Sequence, residues 1–132
     1  MHSLEQLRRG ELAGISRLDL AADLDEFPRE IFDLADSLEV LNLSGNRLRA
    51  LPHDLSRLHR LKVLFCSDNP FETLPEALGD CPQLEMVGFK SNQLREVPAA
   101  ALPEQLRWLI LTDNRIEALP AELGGRPRLQ KL

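Results

Sequence analysis

Apolar residues recur along this chain with a period of about 23 positions. Six segments share one arrangement of apolar and polar positions, and their starts are spaced by 23, 23, 23, 22 and 23 residues. They begin at Ile15, Leu38, Leu61, Leu84, Leu106 and Leu129. The shared pattern is L-x-x-L-x-L-x-x-N-x-L-x-x-L-P-x-x-L, with one residue missing after Asp23 in the first copy. A fixed period of about 20–50 residues indicates an array of stacked units, so residues 15–128 are predicted to form five repeats.

Each repeat is predicted to contain one strand and one short return turn. The L-x-L step, as in Leu41-Asn42-Leu43, has the period of two expected of a strand with one buried face. A proline at repeat position 15 suits the first turn of a short helix, because its φ is already fixed there. These prolines are Pro28, Pro52, Pro75, Pro98 and Pro120. One repeat cannot bury its apolar side chains alone, so the repeats have to stack.

Repeat position 9 holds a column of asparagines. Its members are Asn46, Asn69, Asn92 and Asn114, with Asp23 in the first copy. An amide side chain can accept from one backbone N–H and donate to a neighbouring carbonyl where the strand turns away. We therefore interpret this column as a structural ladder and not as a binding site.

The repeated pattern resembles the leucine-rich repeat family, in its 23-residue intracellular form with a Leu-Pro step, over about Ile15 to Leu132. That resemblance implies an α/β fold: a right-handed solenoid with parallel strands on the concave face and short helical or 3₁₀ turns on the convex face. The stretches FPREIFDLADSLEVLNLSGN and LRWLILTDNRIEALP also resemble the N-terminal repeat region of bacterial leucine-rich-repeat protein kinases.

The two ends of the array differ. Residues 1–14 are expected to hold a capping helix, because Ser3 to Gln6 fits a capping box and Gly10 suits a helix stop. Residues 129–132 match only the start of a sixth repeat, so the last repeat is expected to present a partly uncovered edge. We expect this edge to belong to a longer array or to support self-association.

Composition narrows the class of protein. The 132 residues carry 16 Lys and Arg against 21 Asp and Glu, a formal net charge of −5 with a pI near 5.2. An acidic chain is a poor match for nucleic acid or an anionic membrane, so neither is expected as a partner. The N-terminus lacks the apolar run of a signal peptide, and two cysteines do not make a disulfide scaffold. A cytoplasmic location is therefore predicted.

The resemblance implies that another protein binds to the concave strand face, where repeat positions 3, 5, 7 and 8 are exposed. Apolar residues at positions 3 and 5 increase toward the C-terminal half of this face. The candidate patch consists of Phe65, Met86, Trp108 and Ile110, with Gly88 leaving room between them and Lys90 in a polar rim. Exposed apolar patches mark interaction sites, and tryptophan is enriched at binding hot spots.

No catalytic chemistry is predicted for this chain. The three histidines have no cysteine at ligand spacing, Cys66 and Cys81 fall at inward positions, and no phosphate-binding or kinase motif is present. Neither a metal nor another cofactor is expected. The main hypothesis is a protein-interaction module. The kinase resemblance keeps open a regulatory or targeting arm of a protein Ser/Thr kinase whose ATP-binding domain lies beyond residue 132. A bacterial ubiquitin-ligase effector is disfavoured, because its repeats are shorter.

Overall fold

The computed structural model describes residues 1–125 and 130–131, and it shows one parallel sheet with strands in sequence order. One helix precedes the sheet, α1 at Leu4–Arg8. The strands are β1 at Arg17–Asp19, β2 at Val40–Asn42, β3 at Val63–Phe65, β4 at Met86–Gly88, β5 at Trp108–Ile110 and β6 at Gln130–Lys131. Short 3₁₀ helices at Arg29–Leu34, Leu55–Arg57, Glu76–Asp80, Ala99–Ala101 and Ala121–Gly125 follow the first five strands. The predicted α/β solenoid with 3₁₀ return turns is confirmed.

Residues at equal repeat positions lie side by side in the sheet. Val40 pairs with Val63, Val63 with Met86, and Met86 with Trp108. The middle residue of each of the first five strands points into the core and is fully buried. These residues are Leu18, Leu41, Leu64, Val87 and Leu109. Because side chains alternate along a strand, the flanking residues of each strand face the opposite, concave side.

The asparagine column lies against the backbone of the turns that follow the strands. Asn69 accepts a hydrogen bond from the N–H of Leu48 and donates to the carbonyls of Leu43 and Cys66. Asn46, Asn92 and Asn114 make equivalent hydrogen bonds to the preceding repeat. The side chains of Asn46, Asn69 and Asn92 are buried, and Asn114 is half-buried. Each amide thus links two successive repeats at a place where strand hydrogen bonding has ended.

Asp23 does not belong to this column, contrary to the sequence alignment. Its φ is +54°, the left-handed value also found at Gly45, Asp68, Ser91 and Asp113, which directly precede the asparagines. Its exposed carboxylate forms an ion pair with Arg47 at 2.7 Å. The turn of the first repeat is one residue shorter. In it Asp23, three residues after the buried Leu20, adopts the left-handed conformation that the other repeats place two residues after the equivalent residue.

The second, third and fourth 3₁₀ helices stack on one another along the convex side. The third and fourth repeats approach closely at Gly79, which lies directly against the backbone of Ala100: an added Cβ at Gly79 would overlap the carbonyl oxygen of Ala100. The fourth repeat is the one with 22 residues, and its turn is built from alanines. Small side chains on both sides therefore permit this backbone contact.

The N-terminal segment covers the first strand. Ser3 and Gln6 form a capping box at the start of α1, and Leu7 and Leu12 are buried against the first repeat. The backbone N–H of His2 donates to the carbonyl of Asp19 at 2.9 Å, and the N–H of Asp19 donates to Nδ1 of His2 at 3.0 Å. These two hydrogen bonds satisfy the backbone N–H and C=O of Asp19 at the outer edge of β1, which would otherwise face solvent.

At the other end, β6 pairs with β5 in a register that differs from the sequence alignment. Gln130 lies beside Trp108, whereas the 23-residue spacing places Lys131 there. Register is set mainly by buried side chains, and β6 has only two residues. Leu129 and Leu132, on which the predicted sixth repeat depends, lie outside the described residues, as do residues 126–128 of the fifth.

Candidate functional site

Two rows of concave side chains run across strands β3 to β5. The first row is Val63, Met86 and Trp108, and the second is Phe65, Gly88 and Ile110. Neighbouring strands are about 4.8 Å apart, so the larger side chains of the two rows adjoin one another. The structure therefore brings together Phe65, Met86, Trp108 and Ile110, the four apolar residues that the sequence analysis selected.

The ring of Phe65 fills the space above Gly88. A Cβ built at Gly88 would lie 2.8 Å from Cδ1 and 3.3 Å from Cε1 of Phe65, and 3.8 Å from Cδ1 of Ile110. Gly88 is buried even though it lies on the concave side. Gly88 was expected to leave room between the patch residues, and the ring of Phe65 occupies that room. Phe65 and Ile110 consequently form one continuous apolar surface.

Trp108 lies at the edge of this surface. The guanidinium of Arg107 stacks over its ring at 4.7 Å from the centroid. Trp108, Met86, Phe65 and Ile110 are all half-buried, whereas the sequence analysis described an exposed patch. Neighbouring side chains cover part of these surfaces: Met86 lies between Val63 and Trp108, the guanidinium of Arg107 covers the ring of Trp108, and the ring of Phe65 lies over Gly88.

Lys90 follows β4 by two residues and is exposed. Alternation along the strand places it on the same side as Met86 and Gly88. Its backbone carbonyl accepts from the N–H of Asp68 at 2.9 Å. Within the part of the chain that the structure describes, no carboxylate lies within 4.0 Å of its ammonium group.

The N-terminal half of the concave face is polar and internally paired. Arg17 donates to both carboxylate oxygens of Asp19, at 2.8 and 3.0 Å, and Asn42 donates to Asp19 at 3.0 Å. The hydrogen bond from Arg17 is the main reason that the pKa of Asp19 falls to about 2. Arg17 and Asp19 hold repeat positions 3 and 5, so the predicted strand already places them on one face. The hydrogen bonds between them and the contribution of Asn42 depend on side-chain conformations, which the spacing does not specify.

Replacing Asp19 with asparagine is expected to lower the melting temperature at pH 7 by about 3 °C, because the paired carboxylate is lost. A lowered folded-state pKa contributes stability above the unfolded value of about 4, and this contribution disappears as the pH falls to about 2. The difference in melting temperature between wild-type and Asp19→Asn protein should therefore become smaller as the pH falls from about 4 to about 2. Thermal unfolding followed by circular dichroism at pH 7 and pH 2 tests this, and a difference independent of pH would contradict it.

Within the described part of the chain, the cysteines and the possible metal ligands do not converge into a second site. Cys66 and Cys81 are free, buried thiols, and burial raises the pKa of Cys81 to about 12 and that of Cys66 further still. A thiol that stays protonated is a weak nucleophile and a weak metal ligand. Among residues 1–125 and 130–131, no three His, Cys, Asp or Glu side chains are grouped as metal ligands. In the same described residues, no helix has the length and apolar character needed to cross a membrane.

Comparison with known proteins agrees with the repeat pattern. A family profile described as leucine rich repeat matches residues 36–94. The human PH domain leucine-rich repeat-containing protein phosphatase 1 is 33% identical over 83 residues, which are 63% of this chain and 5% of that protein. The probable inactive serine/threonine-protein kinase roco10 of Dictyostelium discoideum is 33% identical over 101 residues, 72% of this chain and 4% of that protein. The chain therefore spans about a twentieth of the length of these relatives.

Solved structures extend the likeness over nearly the whole chain. A leucine-rich repeat protein of Leptospira interrogans superposes with a TM-score of 0.74 and 26% identity, over 96% of this chain and 33% of that one. The plant peptide hormone receptor RGFR1 in complex with RGF2 superposes with a TM-score of 0.70 and 25% identity, over 96% of this chain and 21% of that one. The repeats, the parallel sheet with its 3₁₀ turns and these likenesses establish that the chain belongs to the leucine-rich repeat family.

Proposed function

We propose that this chain is a protein-interaction module that binds a protein partner through the C-terminal half of its concave face. One observation carries this proposal: four large apolar side chains, Phe65, Met86, Trp108 and Ile110, adjoin on a solvent-facing strand surface. The core does not need them, because β3, β4 and β5 already bury their middle residues on the other side. Apolar side chains that are clustered at a surface stabilise a complex when a partner buries them.

The shape of the patch suits a partner segment laid across the strands. Phe65 and Ile110 provide a continuous surface, and Trp108 is held at its edge by Arg107. Rigid aromatic side chains supply much contact area while losing little conformational freedom on binding, which is why they dominate hot spots. Support from the comparisons comes from the plant peptide hormone receptor, whose structure is a complex with RGF2.

Replacing Trp108 with alanine is expected to weaken binding by about 1–2 kcal/mol, roughly tenfold, and to leave the fold intact because Trp108 is only half-buried. The probe is a set of peptides selected on the wild-type chain from a random library displayed on phage. Isothermal titration calorimetry then compares their affinity for wild-type and variant protein, with circular dichroism as the check on folding.

The matched control is Val40→Ala, at the same repeat position in β2 but within the polar half of the concave face. It is expected to leave peptide affinity unchanged. Equal affinities for wild-type and Trp108→Ala protein would assign the binding surface to another face. Unfolding of Trp108→Ala would show that the side chain serves the core instead.

A second candidate function is the regulatory or targeting arm of a longer protein Ser/Thr kinase. It is favoured by the 33% identity to the probable inactive kinase roco10 over 72% of this chain. The phosphatase relative, at the same identity, gives comparable support to a different enzyme class. A reading frame that continues into kinase motifs would support this candidate, and one that continues into other domains would reject it.

We also propose that the module itself catalyses no reaction and acts in the cytoplasm. The leucine-rich repeat fold is typically non-catalytic, and the two free thiols suit a reducing compartment. Fractionation of the source cells tests the location.

A further inference from the structure

We propose that protonation of the His2 imidazole releases the N-terminal residues Met1 and His2 from the outer edge of β1. The attachment then depends on pH in the range where histidine side chains exchange a proton, about pH 5–8. At higher pH the neutral imidazole holds the segment against the strand, and at lower pH the edge of the strand is open. The device lies at the N-terminal end of the array, so it is independent of the function proposed for the concave face.

Two hydrogen bonds attach the segment to β1. The N–H of His2 donates to the carbonyl of Asp19 at 2.9 Å, and the N–H of Asp19 donates to Nδ1 of His2 at 3.0 Å. Nδ1 accepts through its lone pair, so the ring proton of the neutral imidazole belongs on Nε2. A protonated imidazole carries a proton on both nitrogens and has no lone pair in any orientation of the ring. Protonation therefore breaks the second hydrogen bond and sets two donors against each other.

The charged groups of the sheet do not hold an imidazolium in the observed position. Among the residues that the structure describes, no carboxylate lies within 4.0 Å of the ring nitrogens of His2. The carboxylate of Asp19 accepts two hydrogen bonds from Arg17 and one from Asn42, so both of its oxygens are already engaged. Its pKa of about 2 keeps it ionised from pH 5 to pH 8, so it does not titrate with the histidine.

The charges of the N-terminal segment and of α1 give no further anchor. Glu5, the acid in the first turn of α1, forms an ion pair with Arg9. The terminal ammonium group of Met1 is adjacent in sequence and repels a second positive charge, and the Met1 side chain is exposed. After protonation, one backbone hydrogen bond, from the N–H of His2, is left to hold a chain end that contributes little packing. Such an end frays readily.

Release uncovers β1 without breaking the sheet. The N–H of Leu20, on the other side of the strand, donates to the carbonyl of Asn42 in β2 at 3.0 Å, and this bond does not involve the histidine. Detachment exposes the N–H and C=O of Asp19, which are the groups that another extended chain would need for pairing with an edge strand. The pH therefore controls access to the first strand of the array.

Amide hydrogen exchange of the full chain tests this proposal, followed by NMR from about pH 8 to about pH 5 and corrected for the intrinsic pH dependence of exchange. The protection of the Asp19 amide is expected to fall about fivefold as the pH decreases, while the Leu20 amide keeps its protection. His2→Asn is the matched variant. Its side-chain oxygen replaces Nδ1 as the acceptor but does not titrate, so the protection of Asp19 should not depend on pH.

Each outcome decides for or against the proposal. A fall in protection that is confined to the Asp19 amide, follows the titration of the His2 ring signals and is absent from His2→Asn would establish it. Protection of Asp19 that is independent of pH in the wild type would overturn it, because the imidazolium would then hold the segment as well as the neutral ring does. An equal fall in His2→Asn, or an equal fall at Leu20, would overturn it by assigning the change to another group or to opening of the whole strand.

Discussion

Gly79→Ala is expected to destabilise the protein by about 3 kcal/mol or more, the upper end of the cost of overpacking. The new methyl group would overlap the carbonyl oxygen of Ala100 and lie 3.0 Å from its carbonyl carbon. Both atoms belong to the backbone, so no side-chain rotation can relieve the clash. Relief requires the 3₁₀ helices Glu76–Asp80 and Ala99–Ala101 to separate, which would open the contact between the third and fourth repeats.

The measurement is urea unfolding of wild-type and Gly79→Ala protein followed by circular dichroism. Gly124→Ala is the matched control, since Gly124 holds the same repeat position in the fifth repeat and has no described atom within 4 Å of an added Cβ. It is expected to change the unfolding free energy by less than about 1 kcal/mol. A Gly79→Ala midpoint equal to that of wild type would contradict the backbone contact.

The sequence was sufficient to predict the architecture because its main determinant is periodic. The buried strand positions, the turn prolines and the asparagine column each recur at one place in the repeat, so one assignment applies to every copy. Stacking then puts equal positions side by side, as the pairing of Met86 with Trp108 shows. The candidate patch followed from the same rule, without knowledge of side-chain conformations.

The features that the sequence did not reveal are those that break the period. Asp23 was misaligned because the turn of the first repeat is one residue shorter, and its carboxylate is exposed beside Arg47, whereas each asparagine bonds to the backbone of the preceding repeat. The ring of Phe65 covers Gly88 because a side chain moves into space that its neighbour leaves empty, and repeat position alone does not specify that movement. The contact of His2 with Asp19 depends on the path of a segment outside the repeats.

Asn92→Ala is expected to cost about 3 kcal/mol, because it leaves the buried N–H of Phe71 without a partner and removes one of the two amide donors that each of the carbonyls of Cys66 and Phe89 accepts. Asn92 accepts from the N–H of Phe71 at 3.2 Å and donates to the carbonyls of Cys66 and Phe89, both at 3.0 Å. A methyl group can replace none of these bonds, and water is excluded because the site is buried. Urea unfolding provides the free energy. Asn114→Ala removes equivalent bonds at a half-buried site and is expected to cost less, since water can reach the exposed groups.

The variant Asn92→Asp tests whether stability depends on the N–H donor of the Asn92 side chain or only on the shape of that side chain. Aspartate has nearly the same size and can still accept from Phe71, but as a carboxylate it cannot donate to the carbonyls of Cys66 and Phe89 and would oppose them with a buried charge. Burial without a cation raises a carboxyl pKa above its unfolded value. The stability that this variant lacks at pH 7 should therefore be partly regained as the pH falls through the raised folded-state pKa toward about 4. If Asn92→Asp were as stable as wild type at pH 7, the carbonyls of Cys66 and Phe89 would not require the donor of the Asn92 amide. The asparagine column would then have another purpose than joining successive repeats.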